Sequence, residues 1–337
     1  MQKILPTKKT LASISLDLDN LWSYQKIHND PGWEKYPSYF ERFIPFVLDI
    51  LKNLNLKITF FVTGLDASMD KHTDLLKSLV ENGHEVGNHS FHHESWFELL
   101  SKEDIQNEIK NTDDLISNIT GIKPVGFRGP GFSWCTDVFD VLSENGYLYD
   151  TSALPTYIGP LARMYYFSKS NLTEEEKKKR KHLYGPFSRG RLSVQPFYWK
   201  LESKEKLLEI PVTTIPFFKL PFHMSYLLYL SRVSEPLMSA YLQTAISLCK
   251  WNRFSPSFLL HPLDLMSGDQ IPELSFFPGM DIPTEKKMNL FHSVLERFDS
   301  HFTLTQMRTL AENILMNGNN LKLRSYRNNQ THPKKRG

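Results

Sequence analysis

The chain has 337 residues, 40% hydrophobic and 13% aromatic, with 40 Lys and Arg against 37 Asp and Glu, a formal net charge of +3. That apolar content fills a sizeable core and excludes a mainly disordered chain, and the balanced charge leaves no electrostatic footprint of a nucleic-acid binder. Only Cys135 and Cys249 are present, which excludes a disulfide scaffold and a cysteine-rich zinc site, so any metal must rest on histidines and carboxylates. In chain order, 11–19 reads as a strand, 36–55 as a helix and 56–64 as a second strand. A helix over 74–83, a short strand over 84–90 and a helix over 101–121 follow, with Ser101 as N-cap and Gly121 as terminator. Then come a strand edge at 125–131, a helix at 137–146 and a strand at 147–153. After an interruption at about 156–206, strands are expected at 207–214 and 254–265 and helices near 234–251, 284–300 and 305–315. This βαβα order implies a parallel sheet wound by helices. The interruption contains EEEKKKRK (174–181), which reads as a solvated helix face or loop. Residues 317–337 are polar and Asn-rich and read as a flexible tail.

No targeting segment is expected. The apolar stretch after Lys3, Lys8 and Lys9 runs into Asp17 too soon for a signal-peptide core. A run of about 18 uncharged apolar residues is also lacking. A cytoplasmic protein is the expectation. Residues 215–230 form the most apolar stretch, but hold Lys219, His223 and two prolines; they leave peripheral membrane contact open.

Four constellations can carry chemistry. In SLDLD, Asp17 and Asp19 are two residues apart near a strand end, which places both carboxylates on one face. They repel unless a cation or a base role accounts for them; strand-end capping is the plainer alternative. In NHSFHHESW, His89 and His93 are spaced i, i+4, which on a helical turn puts both rings on one face, able to chelate an ion, with His92 pointing away. His84 lies on the same short strand. In FRGPGFSW, Arg128 precedes a tight turn and can orient a carboxylate or simply form a salt bridge. In FLLHPLDL, His261 follows an apolar strand, where a parallel α/β fold places its site residues, although a satisfied core histidine fits too.

The ordered set SLDLD, HSFHH, RGPGF, YDTSA and LLH, spread over about 11–270, resembles the polysaccharide deacetylase (NodB-homology) family, carbohydrate esterase family four. Leu18 between the two aspartates is similar to the D-x-D/E branch of that family, and Gly131-Phe132 stand where tyrosine is common. The resemblance implies a distorted (β/α)7 TIM-like barrel over 1–316 with an insertion and C-terminal helices. It implies Asp17 as general base, Arg128 as the residue orienting it, and His261 as general acid. Asp150, in the fourth motif, would tune that acid. Asp19, His89 and His93 would hold a divalent metal. Zinc suits such a set, and cobalt, nickel or manganese could serve. The implied reaction removes an N-acyl group, acetyl in first place, from an amino-sugar of a poly- or oligosaccharide. A lipid-linked amino-sugar or a small non-sugar amide is the alternative substrate. A catalytically silent carbohydrate-binding relative is the alternative of another class.

Overall fold

Seven short parallel strands form a closed ring in the computed structural model, which describes residues 9–170, 172–181, 183–201, 205–317 and 321–325. The strands are β1 (Leu11–Asp17), β2 (Thr59–Val62), β3 (Glu85–Asn88), β4 (Gly126–Phe127), β5 (Tyr149–Asp150), β7 (Lys206–Glu209) and β8 (Ser257–Leu260); β6 (Phe197–Lys200) stands outside the ring, antiparallel to β7. The ladder runs β7-β5-β4-β3-β2-β1-β8. Main chain after β7 closes it. Ile210 N–H donates to Asp150 O, Val212 N–H to Ala153 O, and Thr213 N–H to Ser257 O, at 2.9, 2.9 and 3.0 Å. This is the expected (β/α)7 barrel.

Side-chain alternation along β1 explains its place. Ala12, Ile14 and Leu16 pack in the layer between sheet and helices, whereas Ser13, Ser15 and Asp17 are buried polar residues turned towards the interior. The interior is filled rather than hollow. At Gly126 a Cβ would lie 2.1 Å from the Tyr149 ring, so this position must lack a side chain for Tyr149 to cross the barrel. The helix Met307–Asn317 plugs the N-terminal end of the ring, with Met307, Leu310 and Ala311 against Phe61 and Tyr149.

Helices fall close to the expected places. Lys102–Thr120 has Ser101 as a full capping box with Asp104 and ends at Gly121 in the left-handed region, φ 70°. Further helices lie outside the expected places. Leu21–His28 starts on the Asn20 side chain, which accepts from Leu21 N–H, and Met224–Val233 takes up the apolar 215–230 stretch with Leu227 and Leu228 turned into the core. The interruption forms helices Gly159–Lys169 and Glu174–Lys179 and then β6. Further along, β9 (Thr303–Thr305) pairs with β1. Part of the expected tail is ordered: β10 (Leu323–Arg324) pairs with Tyr198 and Trp199 of β6, because edge backbone groups there need partners. Residues 318–320 and 326–337 of that tail lie outside the described residues. Among the described residues, no helix is long and apolar enough to cross a membrane.

Candidate active site and metal centre

The C-terminal ends of the strands bring the expected residues into one cluster. Asp17 ends β1 facing inward. Arg128 follows β4 and is fully buried; its Nη1 donates to Asp17 Oδ1 at 2.5 Å and to Ser15 Oγ at 3.0 Å. Its Nε and Nη2 donate to the carbonyl and hydroxyl of Thr151 at 3.3 and 3.2 Å, and its guanidinium lies 4.4 Å from the Phe61 ring centre. Four hydrogen bonds and a ring face thus hold the fork, and the arginine fixes one carboxylate oxygen of Asp17.

His89 and His93 converge with Asp19, though not through a helical turn. The segment after β3 is an irregular loop, with Ser90 and His93 both in the left-handed region at φ 62° and 56°. Two such residues reverse the chain and return His93 to the side of His89. Helical periodicity gives the same partner by a different path. Glu108 clamps the loop from the helix 102–120: its Oε2 accepts the Phe91 and His92 N–H groups, each at 2.9 Å, and its Oε1 pairs with His92 Nδ1 at 2.5 Å. His92 therefore points away, as expected. His84 is a core residue, accepting the Ile58 N–H on Nδ1 at 3.2 Å.

Asp19 Oδ1 is 3.0 Å from His93 Nε2 and 3.6 Å from His89 Nε2, and one ligand atom from each of the three residues lies within 4.8 Å of the others. His89 Nδ1 faces the Arg128 carbonyl at 2.6 Å, so it must carry the proton and leave a lone pair on Nε2. Asp19 Oδ1 and His93 Nδ1 are buried without a hydrogen-bond partner. Burial alone would raise the pKa of Asp19, but His93 and His89 overcome it and hold the carboxyl well below its ordinary range. An orphaned oxygen of Asp19, faced by Nε2 of His93 at 3.0 Å and Nε2 of His89 at 3.6 Å, fits a divalent cation with open positions.

His261 follows β8 on the other side of Asp17, its Nε2 4.0 Å from Asp17 Oδ2. Its Nδ1 lies 3.7 Å from Asp264 Oδ2, which also accepts the His261 backbone N–H at 2.8 Å. Burial works to lower its pKa, but the hydrogen bond and charge of Asp264, with Asp17 and Asp19 behind, raise it to about 9. Asp150, expected to tune that acid, has its hydrogen bonds with other groups. It sits on β5 with its carboxylate on the Ser152 hydroxyl (2.6 Å), and Ser152 in turn accepts the Gly129 N–H at 2.8 Å. Burial raises the pKa of Asp150, and Glu209 is its side-chain hydrogen-bond partner across β5 and β7. The carboxylate beside the His261 ring is Asp264, whose signal in the sequence is the three-residue spacing within HPLD.

Two further groups escaped the sequence reading. Burial and the charge of the neighbouring His261 push His223 down to about 3, so it stays neutral beside the protonated ring 6.3 Å away. Tyr24 is buried with its hydroxyl unpartnered, and burial and the Asp19 charge raise its pKa well above the usual phenol value, so it remains a proton donor. No spacing in the sequence marks either residue.

Residues 30–149 match the model of the Polysaccharide deacetylase family. The chain is 30% identical over 111 residues to a peptidoglycan deacetylase of Helicobacter pylori, covering 33% of this chain and 37% of that protein. It is 32% identical over 88 residues to a peptidoglycan-N-acetylglucosamine deacetylase of Bacillus cereus, covering 26% and 31%. The alignments thus span only about a third of those relatives' length. A crystal structure from Mycobacterium smegmatis, assigned as a polysaccharide deacetylase, superposes with a TM-score of 0.60 at 19% identity over 97% of both chains. The PuuE allantoinase superposes with a TM-score of 0.57 at 16% identity over 93% of both; these likenesses concern the fold.

Proposed function

We propose that this chain, whose residues 30–149 match the polysaccharide deacetylase family, is a metal-dependent hydrolase that removes an N-acyl group, acetyl in first place, from an amino-sugar of a poly- or oligosaccharide. The observation that carries the reading is the convergence of the Asp19–His89–His93 ligand atoms with the Arg128-bound Asp17 and His261. The names of the H. pylori and B. cereus relatives support the substrate class. Asp19, His89 and His93 would hold the ion, zinc being the first choice for this donor set. When bound, such an ion polarises a carbonyl and makes water more acidic.

The residues of the chain supply the proton traffic. Asp17, with one oxygen fixed by Arg128, has the other free to take a proton from the attacking water. His261, protonated at neutral pH, stands across from it and gives its proton to the amide nitrogen as the C–N bond breaks. An amine leaves poorly unless protonated, so acid and base are both required. The products are a free amine and the carboxylic acid. Metal content by mass spectrometry, together with free-amine release from a panel of N-acetylated saccharides, tests the reading. A chain that binds no metal and releases no amine from any of them refutes it.

A lipid-linked amino-sugar is the second reading. It is favoured by Phe217 and Phe218, 68% and 64% exposed in the turn joining Thr214 to Pro221, just before His223. Co-sedimentation with liposomes of the wild type, lost in a Phe217→Ser/Phe218→Ser variant, would support it; no sedimentation of the wild type would remove it.

A further inference from the structure

The charge run at 174–181 is not uniformly solvated. Glu174 has a 90% exposed side chain, but Arg180, at the end of the same helix, is only 6% exposed. Its guanidinium lies 5.0 Å from the Trp96 ring centre, its Nε has no hydrogen-bond partner, and among the described residues no carboxylate forms an ion pair with it. Glu176, one turn back, feels its charge without forming an ion pair with it; burying a cation so loosely countered is costly, and a cation–π contact offsets only part of that cost. Arg180 lines a cavity of about 320 Å³ together with Trp33, Trp96, Lys26 and Glu94. The acids of this cavity are already engaged. Glu94 Oε1 accepts from Lys26 Nζ at 2.7 Å, and Glu176 caps its own helix through Thr173. Glu94 Oε2 is left buried and unpartnered, an acceptor for a hydroxyl.

The cavity lies near the candidate metal ligands, since His92 and Glu94, which line it, flank His93 in the chain. The Trp22 ring meets His93 edge-on at 6.4 Å on one side, and the Lys26 ammonium at 5.9 Å on the other. An unpaired buried arginine beside aromatic walls and one free carboxylate oxygen matches a sugar ring that carries an anionic substituent. The arginine fork takes the anion, the carboxylate oxygen takes a hydroxyl, and the indole faces take the ring.

We infer that this cavity is a subsite for a saccharide unit bearing a carboxylate or phosphate, with Arg180 as the residue that recognises the anion. The inference rests on the saccharide reading above and narrows the substrate to an acidic glycan. It also gives the insertion 156–206 a purpose, since that segment carries the arginine over the rim of the barrel.

Titration of the full chain with glucuronate, glucose 6-phosphate, glucose and inorganic phosphate, followed by tryptophan fluorescence, tests it. Glucuronate or glucose 6-phosphate is expected to bind saturably and about tenfold more tightly than glucose, the increment of one charge-assisted hydrogen bond. Arg180→Gln is expected to abolish that preference while Arg180→Lys keeps part of it. Equal binding of glucose by the wild type overturns the role of the anion, whatever the variants do. Inorganic phosphate binding as tightly as the acidic sugars overturns the saccharide part. No saturable change overturns the subsite. The readout needs neither metal nor turnover and is repeated in Asp19→Ala, so a failure here is distinct from a failure of the hydrolase reading.

Discussion

The barrel buries two carboxylate clusters, one at each end, and they are built on opposite plans. At the N-terminal end, Glu85 accepts from Thr59 Oγ1 (2.5 Å), Arg308 N–H (2.8 Å) and Tyr149 OH (2.9 Å), so both its oxygens are satisfied. At the C-terminal end, Asp19 Oδ1 and His93 Nδ1 are left without partners, and His261 faces Asp17 across a 4.0 Å gap. A buried polar group that is satisfied holds a fold together; one left open at the other end of the ring is available to a ligand. The contrast separates structure from chemistry more sharply than burial does, since both ends are equally enclosed.

Six substitutions can break or sharpen that contrast. The largest effect is expected for Asp19→Ala or His89→Ala, which should remove bound metal, seen by mass spectrometry, and reduce turnover to background. Full metal occupancy in both would undo the assignment of the open cluster. Next, His261→Ala should retain the metal and lower kcat by about 10²- to 10⁴-fold, the usual worth of a positioned acid. The acid is present only while protonated, so wild-type activity should fall as pH rises through about 9. Asp264→Asn removes the main support of that raised value and should bring the alkaline limb down towards the ordinary histidine range in a pH–rate profile; an unmoved limb would return the tuning role to another group.

At the satisfied end, Glu85→Ala should leave metal content intact but lower the unfolding free energy by about 1–3 kcal/mol, because three donors lose their acceptor. Burial raises the pKa of Glu85 above its ordinary value, so its folded form binds the proton more tightly than the unfolded form. Its ionisation therefore costs stability as pH rises from the ordinary glutamate value through the raised one, and the variant should lose that part of the pH dependence in denaturant titrations. The smallest effect is expected for Asp150→Asn. It can loosen the Ser152–Gly129 link beside Arg128 and so reduce kcat modestly, but the alkaline limb should stay where it is. A shift there would restore Asp150 as the partner of His261.

Much of this was legible in the sequence, for stated reasons. Alternation in 11–19 and the capping box at Ser101 are local signals, and the barrel strands and the helix 102–120 followed from them. The residues Asp17, Asp19, His89, His93, Arg128 and His261 meet because strand ends of a parallel ring meet. The path of the 89–93 loop was not legible, since the left-handed backbone of Ser90 and His93 is held by Glu108 from a distant helix. Nor was the burial of Arg180. A run of like charges reads as a solvated face, and only packing against Trp96 takes its last member inside. Asp150 and Asp264 both precede or follow a strand end by small steps, and only the ring geometry decides which one stands by His261.

The pairing of β1 with β8, Ser13 against Ser257 and Leu16 against Leu260, also sets an order in time. A chain emerging from the ribosome presents all three candidate ligands and the Arg128–Asp17 pair while the segment carrying His261 is still unmade. The acid arrives only when β8 docks beside the first strand, a contact of high sequence separation and therefore late in folding. An unfinished chain would be able to gather an ion before it could use one, and hydrolysis would begin only when the ring shuts.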